Sequence, residues 1–343
     1  VVAHLIEKNY HGDFLAAVRA AIALLEGSYA LGVLCAEHPD EIVAVRRSSP
    51  LIVGLSEEGN FIASDIPAVL AHTRRILQLA DGEVVCLTRD GARVLDEGGR
   101  PVEKKEMLVD WDVTSAEKGG HAHFMIKEIL EQPAALAATV SPRVGADGGI
   151  VLDGIRLTAA QLRKIRRIAI LACGSAYHAG VVGKYVLEKL TRIPVDVDVA
   201  SEFRYRDPIV DANTLAIVIS QSGETADTLA AMREAKRRGA RVLSIVNVVG
   251  SSIAAESDDV LYTWAGPEIS VATTKAYSTQ LVMLYLLAFY IAHKLGHIDD
   301  RDQRRLLSAL IRLPDLVAGI LRQAPQLQQL AQRYAYLEHA YFI

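Results

Sequence analysis

Six residues carry the strongest chemical signal in this chain: Ser220-Gln221-Ser222-Gly223-Glu224-Thr225. They follow the apolar run Leu215–Ser220 and precede a helical pattern over Ala226–Arg238 closed by Gly239, so they read as a strand–loop–helix turn. Backbone N–H groups at a helix start point at an anion, and closely spaced hydroxyls add donors. Gly223 lets the backbone approach whatever is bound. The loop holds no lysine and no GxxxxGK[ST] pattern, so a nucleoside triphosphate with magnesium is not indicated. A single phosphate on a small molecule suits these groups. A second reading stays open, a Ser/Thr-rich helix cap with no ligand, because these residue types favour caps in any case.

Two further loops repeat the arrangement. Cys173-Gly174-Ser175-Ala176 also lies between a strand and a helix, and two such loops on neighbouring strands can line one pocket from two sides. Cys173 as a nucleophile would need a lowered pKa, for which the sequence gives no environment, and a small buried residue at a strand end is the plainer reading. His178 reads as a packed helix-face residue rather than a base. The third loop, Glu268–Lys275, leads into a long helix, with Thr273 and Thr274 as its caps and Lys275 solvated. The basic cluster Arg233, Lys236, Arg237, Arg238 and Arg241 falls at a helix C-terminus, where cations offset the dipole, so a solvated face is preferred over nucleic acid. His121 and His123 have no acidic or cysteine neighbours to complete a metal site, and no metal is expected.

The elements that must position these loops fit an ordinary globular composition. The 343 residues are 51% hydrophobic and 23% charged, with a formal net charge of −4, which argues against disorder and a generally basic nucleic-acid binder. That length suggests two domains or three. Three cysteines without a CxxC pair suggest neither a disulfide framework nor zinc, and a reducing cytoplasm is the expected setting. The uncharged stretch Ala276–Ala292 contains Ser278, Thr279 and Gln280, which cut its apolar part to below the ~20 residues of a membrane span. A buried helix is expected there. The chain opens on Val1 rather than methionine, which reads as a processed or excised piece.

Residues 1–27 are expected to end in an amphipathic helix, with Phe14, Leu15, Val18, Ile22 and Leu25 on one face and Gly27 as C-cap. Strands are expected at Tyr29–Ala36, Glu41–Val45, Leu51–Leu55, Phe61–Ala63, Val84–Thr88 and Ala92–Leu95. His38-Pro39-Asp40 and Asp90-Gly91 are among the turns between them, and the last of these reads as a hairpin. This part reads as the antiparallel, strand-rich remainder of an α+β domain. From Val109–Gly120 onward the pattern changes. A capping box at Thr158–Gln161 opens a short helix, and strands at Arg167–Ala172, Val195–Val199, Leu215–Ser220, Val242–Asn247 and Val260–Trp264 are separated by helical segments. That order predicts an α/β, doubly wound parallel five-stranded sheet, with ligands at the carboxyl ends of its strands. Near the end, a helix over Gln326–Glu338 followed by a strand-like start at Ala340–Ile343 repeats the opening of that domain.

Taken together, CGSAYHAG at Cys173–Gly180, SQSGETADT at Ser220–Thr228 and GPEISVATTKAY at Gly266–Tyr277 resemble the first sugar isomerase (SIS) domain of the glutamine–fructose-6-phosphate aminotransferase (glucosamine-6-phosphate synthase) family. HFMIKEILEQP at His123–Pro133 and ASEFRYRDP at Ala200–Pro208 support the match. SPLIVGL at Ser49–Leu55, FIASD at Phe61–Asp65 and the opening VVAHLIE are similar to the later part of that family's Ntn-type glutaminase domain. The resemblance implies four parts: the C-terminal part of a glutamine amidotransferase domain at 1–108, a linker at 109–123, the first SIS domain at 124–298, and inter-domain helices with the start of a second SIS domain at 299–343.

The family joins an amino-terminal-cysteine glutaminase to an isomerase of two SIS domains, which aminates and isomerises fructose 6-phosphate to glucosamine 6-phosphate through a lysine-linked imine and glutamate-assisted proton transfer. The resemblance places the nucleophilic cysteine before Val1, and the isomerase glutamate, histidine and lysine beyond Ile343, so no catalytic residue is expected within this chain. What it assigns here is the sugar-phosphate cradle: Ser220, Gln221, Ser222 and Thr225 for the phosphate, with Gly174, Ser175 and the Val271 backbone toward the sugar. Ala176 stands where many members have serine. The implied partners are fructose 6-phosphate or glucosamine 6-phosphate, with glutamine only in a full-length, homodimeric parent. No cofactor, membrane or nucleic acid is implied. Two alternatives remain: a non-catalytic SIS-type regulatory module that binds sugar phosphate, and a stand-alone isomerase drawing its base from Glu202, Glu224 or Glu268.

Overall fold

The computed structural model describes residues 1–66, 68–109 and 118–339. The chain divides into two compact units, Val1–Glu117 and Lys118–Ile343. In the first unit, α1 (Val2–Asn9) and α2 (Phe14–Ile22) precede β1 (Tyr29–Cys35), β2 (His38–Arg47), β3 (Ile52–Leu55), β4 (Phe61–Ala63), β5 (Arg75–Gln78), β6 (Val84–Thr88), β7 (Gly91–Leu95) and β8 (Met107–Leu108). They form two antiparallel sheets, ordered β1-β2-β6-β7 and β4-β3-β5-β8.

The two-residue period of a strand builds the layers. Val43, Val45 and Val84 turn to Ile6, Phe14, Ala17, Val18 and Ala21 of the helices. Their neighbours Ala44, Val85 and Leu87 turn the other way, to Leu51, Val53 and Leu77 of the second sheet. The amphipathic helix expected at the end of residues 1–27 is α2, which stops at Ile22, before Leu25 and Gly27, and α1 precedes it as a separate helix. His38 and Pro39 start β2 instead of forming a turn, because proline is tolerated at the first residues of a strand. β5 and β8 were not expected. The hairpin between β6 and β7 pairs Thr88 with Gly91.

In the second unit come α3 (Phe124–Leu130), α4 (Gln132–Val140), α5 (Ala159–Leu162), β9 (Arg167–Ala172), α6 (Gly174–Thr191), β10 (Val195–Val199), α7 (Ala200–Phe203), β11 (Thr214–Ser220), α8 (Ala226–Arg237), β12 (Arg241–Val246), α9 (Ser252–Glu256) and β13 (Asp259–Tyr262). Four helices follow: α10 (Lys275–Leu295), α11 (Asp300–Ile311), α12 (Leu313–Leu321) and α13 (Ala324–Gln332). The strands form one all-parallel sheet in the order β10-β9-β11-β12-β13. Both faces are covered, which is why the inner strands β9, β11 and β12 read as nearly continuous apolar runs, while edge strand β10 alternates valine and aspartate. Ile168, Ile170, Ile217, Ile219 and Ile245 pack on α6 and α10. Leu171, Ala216, Val218 and Val242 pack on Phe203 of α7 and on Leu229 and Met232 of α8. α10 is long and apolar enough to cross a membrane, but 67% of its most apolar window is buried inside the protein. The Thr158 capping box opens α5. The helix expected over Gln326–Glu338 runs instead over Ala324–Gln332, and Ala340–Ile343 lie outside the described residues.

Edge strand β13 is fastened by charge. Asp259, 1% exposed, accepts from Arg241 Nε at 2.7 Å and Nη2 at 3.1 Å and from the Arg156 N–H at 2.7 Å. Removing the buried carboxylate leaves the half-buried Arg241 and the Arg156 amide without their acceptor, which costs about 1–3 kcal/mol. Asp259→Ala is therefore expected to lower the stability of the second unit by about that amount, read as an earlier urea midpoint by circular dichroism.

Candidate functional site

The sheet order fixes where a crevice opens. From β9 the chain crosses through α6 to β10 on one side, and from β11 it crosses through α8 to β12 on the other. α6 and α8 lie on opposite faces of the sheet. β9 and β11 are neighbours in register, Ala172 beside Ile219, so the loops that follow them part and leave their carboxyl ends uncovered. A cavity of about 220 Å³ lies there, walled by Cys173, Ser175 and Ala176 after β9, by Ser220, Gln221, Ser222, Thr225 and Thr228 from the end of β11 into α8, and by Glu268, Ser270, Val271 and Thr273 after β13, with Gln280 of α10.

The structure thus brings Ser175, Ser220, Gln221, Ser222, Thr225 and Val271 to one cavity, from three loops. Gly174 is not part of its wall; it is exposed and opens α6 with φ +57°. Cys173 is a wall residue, half-buried, and its Sγ accepts from Thr228 Oγ1 at 3.7 Å. His178 is exposed rather than packed.

The Ser220–Thr225 loop is held by its own hydroxyls. Ser220 Oγ accepts from the Gly223 N–H at 3.0 Å and lies 3.1 Å from Thr225 Oγ1, and Ser222 Oγ accepts from the Glu224 N–H at 3.2 Å. Gly223 adopts φ +68°, and a Cβ there would fall 2.0 Å from Ser251 Oγ, so no other residue fits without displacement. α8 begins at Thr225 with no side-chain cap, and α6 begins at Cys173 likewise. First-turn N–H groups therefore remain free to meet an anion.

The third loop is positioned by carboxylates. Glu268 Oε1 accepts from the N–H groups of Thr274 (2.8 Å) and Ala276 (3.1 Å), and its Oε2 accepts from Thr273 Oγ1 at 2.6 Å. The glutamate, not the threonines, caps α10. Glu128 of α3, 2% exposed, reaches the same loop, where its Oε1 accepts from the Ile269 N–H at 2.7 Å and the Ser270 N–H at 3.1 Å. Lys275 is buried at 3% exposure rather than solvated, because Glu131 takes its ammonium at 2.7 Å. Sequence reasoning missed Glu128 and Glu131, whose partners lie about 140 residues away in the chain.

Two of the three candidate bases are already engaged, and the third stands away from the cavity. Glu224 Oε1 accepts from the Ser252 N–H at 2.7 Å and its Oε2 from Ser252 Oγ at 2.8 Å, Glu268 caps α10, and Glu202 is not in the cavity wall. The basic cluster is neutralised in place. Arg233 pairs with Glu256, Lys236 with Asp258, Arg237 and Arg238 with Glu234, and Arg241 with Asp259. Hydrogen bonds from Arg237 and Arg238 hold the Glu234 carboxyl down at about 2. Among the described residues no group of His, Cys, Asp and Glu could hold a metal. Among the described residues the cavity wall contains no lysine, arginine or histidine, and its hydroxyls and amides can bind and orient a ligand.

Glu128→Ala should free two loop amides. Faster hydrogen exchange at Ile269 and Ser270 by at least about tenfold is expected, together with a stability loss of about 1–3 kcal/mol. Unchanged protection at both amides would remove the anchoring role.

A family profile described as SIS domain matches residues 161–290. The glutamine–fructose-6-phosphate aminotransferase (isomerizing) of Clostridium tetani is 53% identical over all of this chain, which spans 56% of that relative's length. The enzyme of the same name from Caldanaerobacter subterraneus subsp. tengcongensis is 54% identical over the same shares. Among solved structures, the C-terminal domain of glucosamine-fructose-6-phosphate aminotransferase from Francisella tularensis is 40% identical, with a TM-score of 0.62 over 65% of this chain and 63% of that one. With its parallel five-stranded sheet and the antiparallel strands before it, this chain carries a SIS domain and is similar along its whole length to glutamine–fructose-6-phosphate aminotransferases, of whose length it spans a little over half.

Proposed function

We propose that this chain supplies the sugar-phosphate-binding part of an enzyme that converts fructose 6-phosphate and glutamine to glucosamine 6-phosphate and glutamate. The observation that carries the reading is the cavity itself, where hydroxyls, an amide and two uncapped helix N-termini meet at the switch point of the sheet. A phosphate monoester fits there, because first-turn N–H groups and hydroxyl donors match its oxygens. In this reading Ser220, Gln221, Ser222 and Thr225 take the phosphate, and Ser175 and the Val271 backbone face the sugar. Gly174 contributes by allowing the turn into α6 rather than by contact.

The antiparallel unit is read as the C-terminal part of a glutaminase domain, and the division at 1–108, 109–123, 124–298 and 299–343 belongs to the same proposal. So do a homodimeric parent and a cytoplasmic setting, which three free cysteines suit. The amine and base needed for isomerisation are read as lying in the part of the relatives' length that this chain does not span. The chain alone is therefore expected to show no glutaminase activity and to form no glucosamine 6-phosphate. Substantial turnover in either assay would overturn that division of labour.

Binding is the sharper test. Loss of one hydrogen bond to a charged ligand is worth about 1.5–3 kcal/mol, or about 10- to 100-fold in Kd. Ser222→Ala is expected to weaken fructose 6-phosphate by about that factor in calorimetry. Equal affinities for the wild-type chain and the variant would refute the phosphate cradle.

A further inference from the structure

Gln280 lies in the second turn of α10 and is 3% exposed, yet its carboxamide oxygen has no hydrogen-bond partner among the described residues. It is also a wall residue of the cavity lined by Ser175, Ser220 and Ser222. An unmade hydrogen bond at a buried polar group costs about 1–3 kcal/mol. The buried residues around it on α10, Ala276, Met283, Leu284 and Leu287, are apolar, so packing alone would favour an apolar side chain at 280 as well. A buried, unpartnered amide in a cavity wall marks a group kept for something that enters the cavity.

The chemistry of that partner follows from the amide. Phosphate oxygens are acceptors and leave a carbonyl oxygen unsatisfied, whereas a sugar hydroxyl both donates and accepts and so pairs with the amide whichever way its oxygen and nitrogen face. The loop from Ser220 to Thr225 already offers donors suited to an anion. We infer that Gln280 is a specificity-determining contact that hydrogen-bonds a hydroxyl of the sugar while the Ser220–Thr225 loop holds the phosphate. The inference rests on the sugar-phosphate reading above and adds a residue that the resemblance did not supply.

Binding of fructose 6-phosphate and of inorganic phosphate to the wild-type chain, Gln280→Met and Gln280→Leu tests it. Both substitutions keep the bulk without the amide and remove the unpaired group, so the unliganded variants should melt no lower than the wild type. Fructose 6-phosphate should weaken by at least about tenfold, while inorganic phosphate stays within about twofold. Unchanged affinity for fructose 6-phosphate, or an equal loss for both ligands, overturns the hydroxyl contact. The two readings fail separately. If the wild type binds fructose 6-phosphate and Ser222→Ala weakens it while the Gln280 variants do not, only Gln280's role falls; if the wild type binds no fructose 6-phosphate, both fall.

Discussion

Everything at the cavity depends on one constraint of parallel sheets. Each strand must be followed by a crossover that returns along one face, and the handedness of that crossover decides which face. Because β9 sits between β10 and β11, its crossover and that of β11 run to opposite faces. The strand ends between them cannot both be covered. Helix α6 and helix α8 then start from adjacent points and diverge, and each presents its first turn to the same small volume. Ser175 and Ala176 at the start of one helix and Thr225 and Thr228 at the start of the other line that volume.

Carboxylates do a different job here from the one their chemistry first suggests. Glu128, Glu224 and Glu268 each accept backbone N–H groups of a loop or helix start. A carboxylate takes two such donors more strongly than a hydroxyl does, so the loops around the cavity are fixed by charge without placing a cation in its wall. Lys275 follows the same logic in reverse. It begins α10, where a cation is disfavoured by the helix dipole, and Glu131 offsets it with a short ion pair.

Much of this was legible in the sequence, for physical reasons that differ by element. β9 is bounded by its apolar run and β10 by its alternating valines, and the Thr158 capping box is a purely local device. The three wall loops could be found because each follows an apolar strand and carries hydroxyls. β5 was hidden because Arg75 and Gln78 leave only two apolar residues, and its strand character comes from pairing with β3 and β8. Lys275 read as solvated because charge predicts exposure until a distant partner is known. Gln280 carries no local signal of its own, since nothing in the sequence says which way a helix residue faces once the helix is buried on most sides.

The hydroxyl bonds inside the Ser220–Thr225 loop carry a last consequence. Ser220 holds both Gly223 and Thr225, and Ser222 holds Glu224, so the loop's own hydroxyls set its turn. Ordering a flexible loop on binding would subtract from affinity; a preorganised one subtracts little and treats all phosphate monoesters much alike. Discrimination among them then falls to the walls that meet the rest of the molecule, and the helix behind the cavity becomes the part of the fold that chooses.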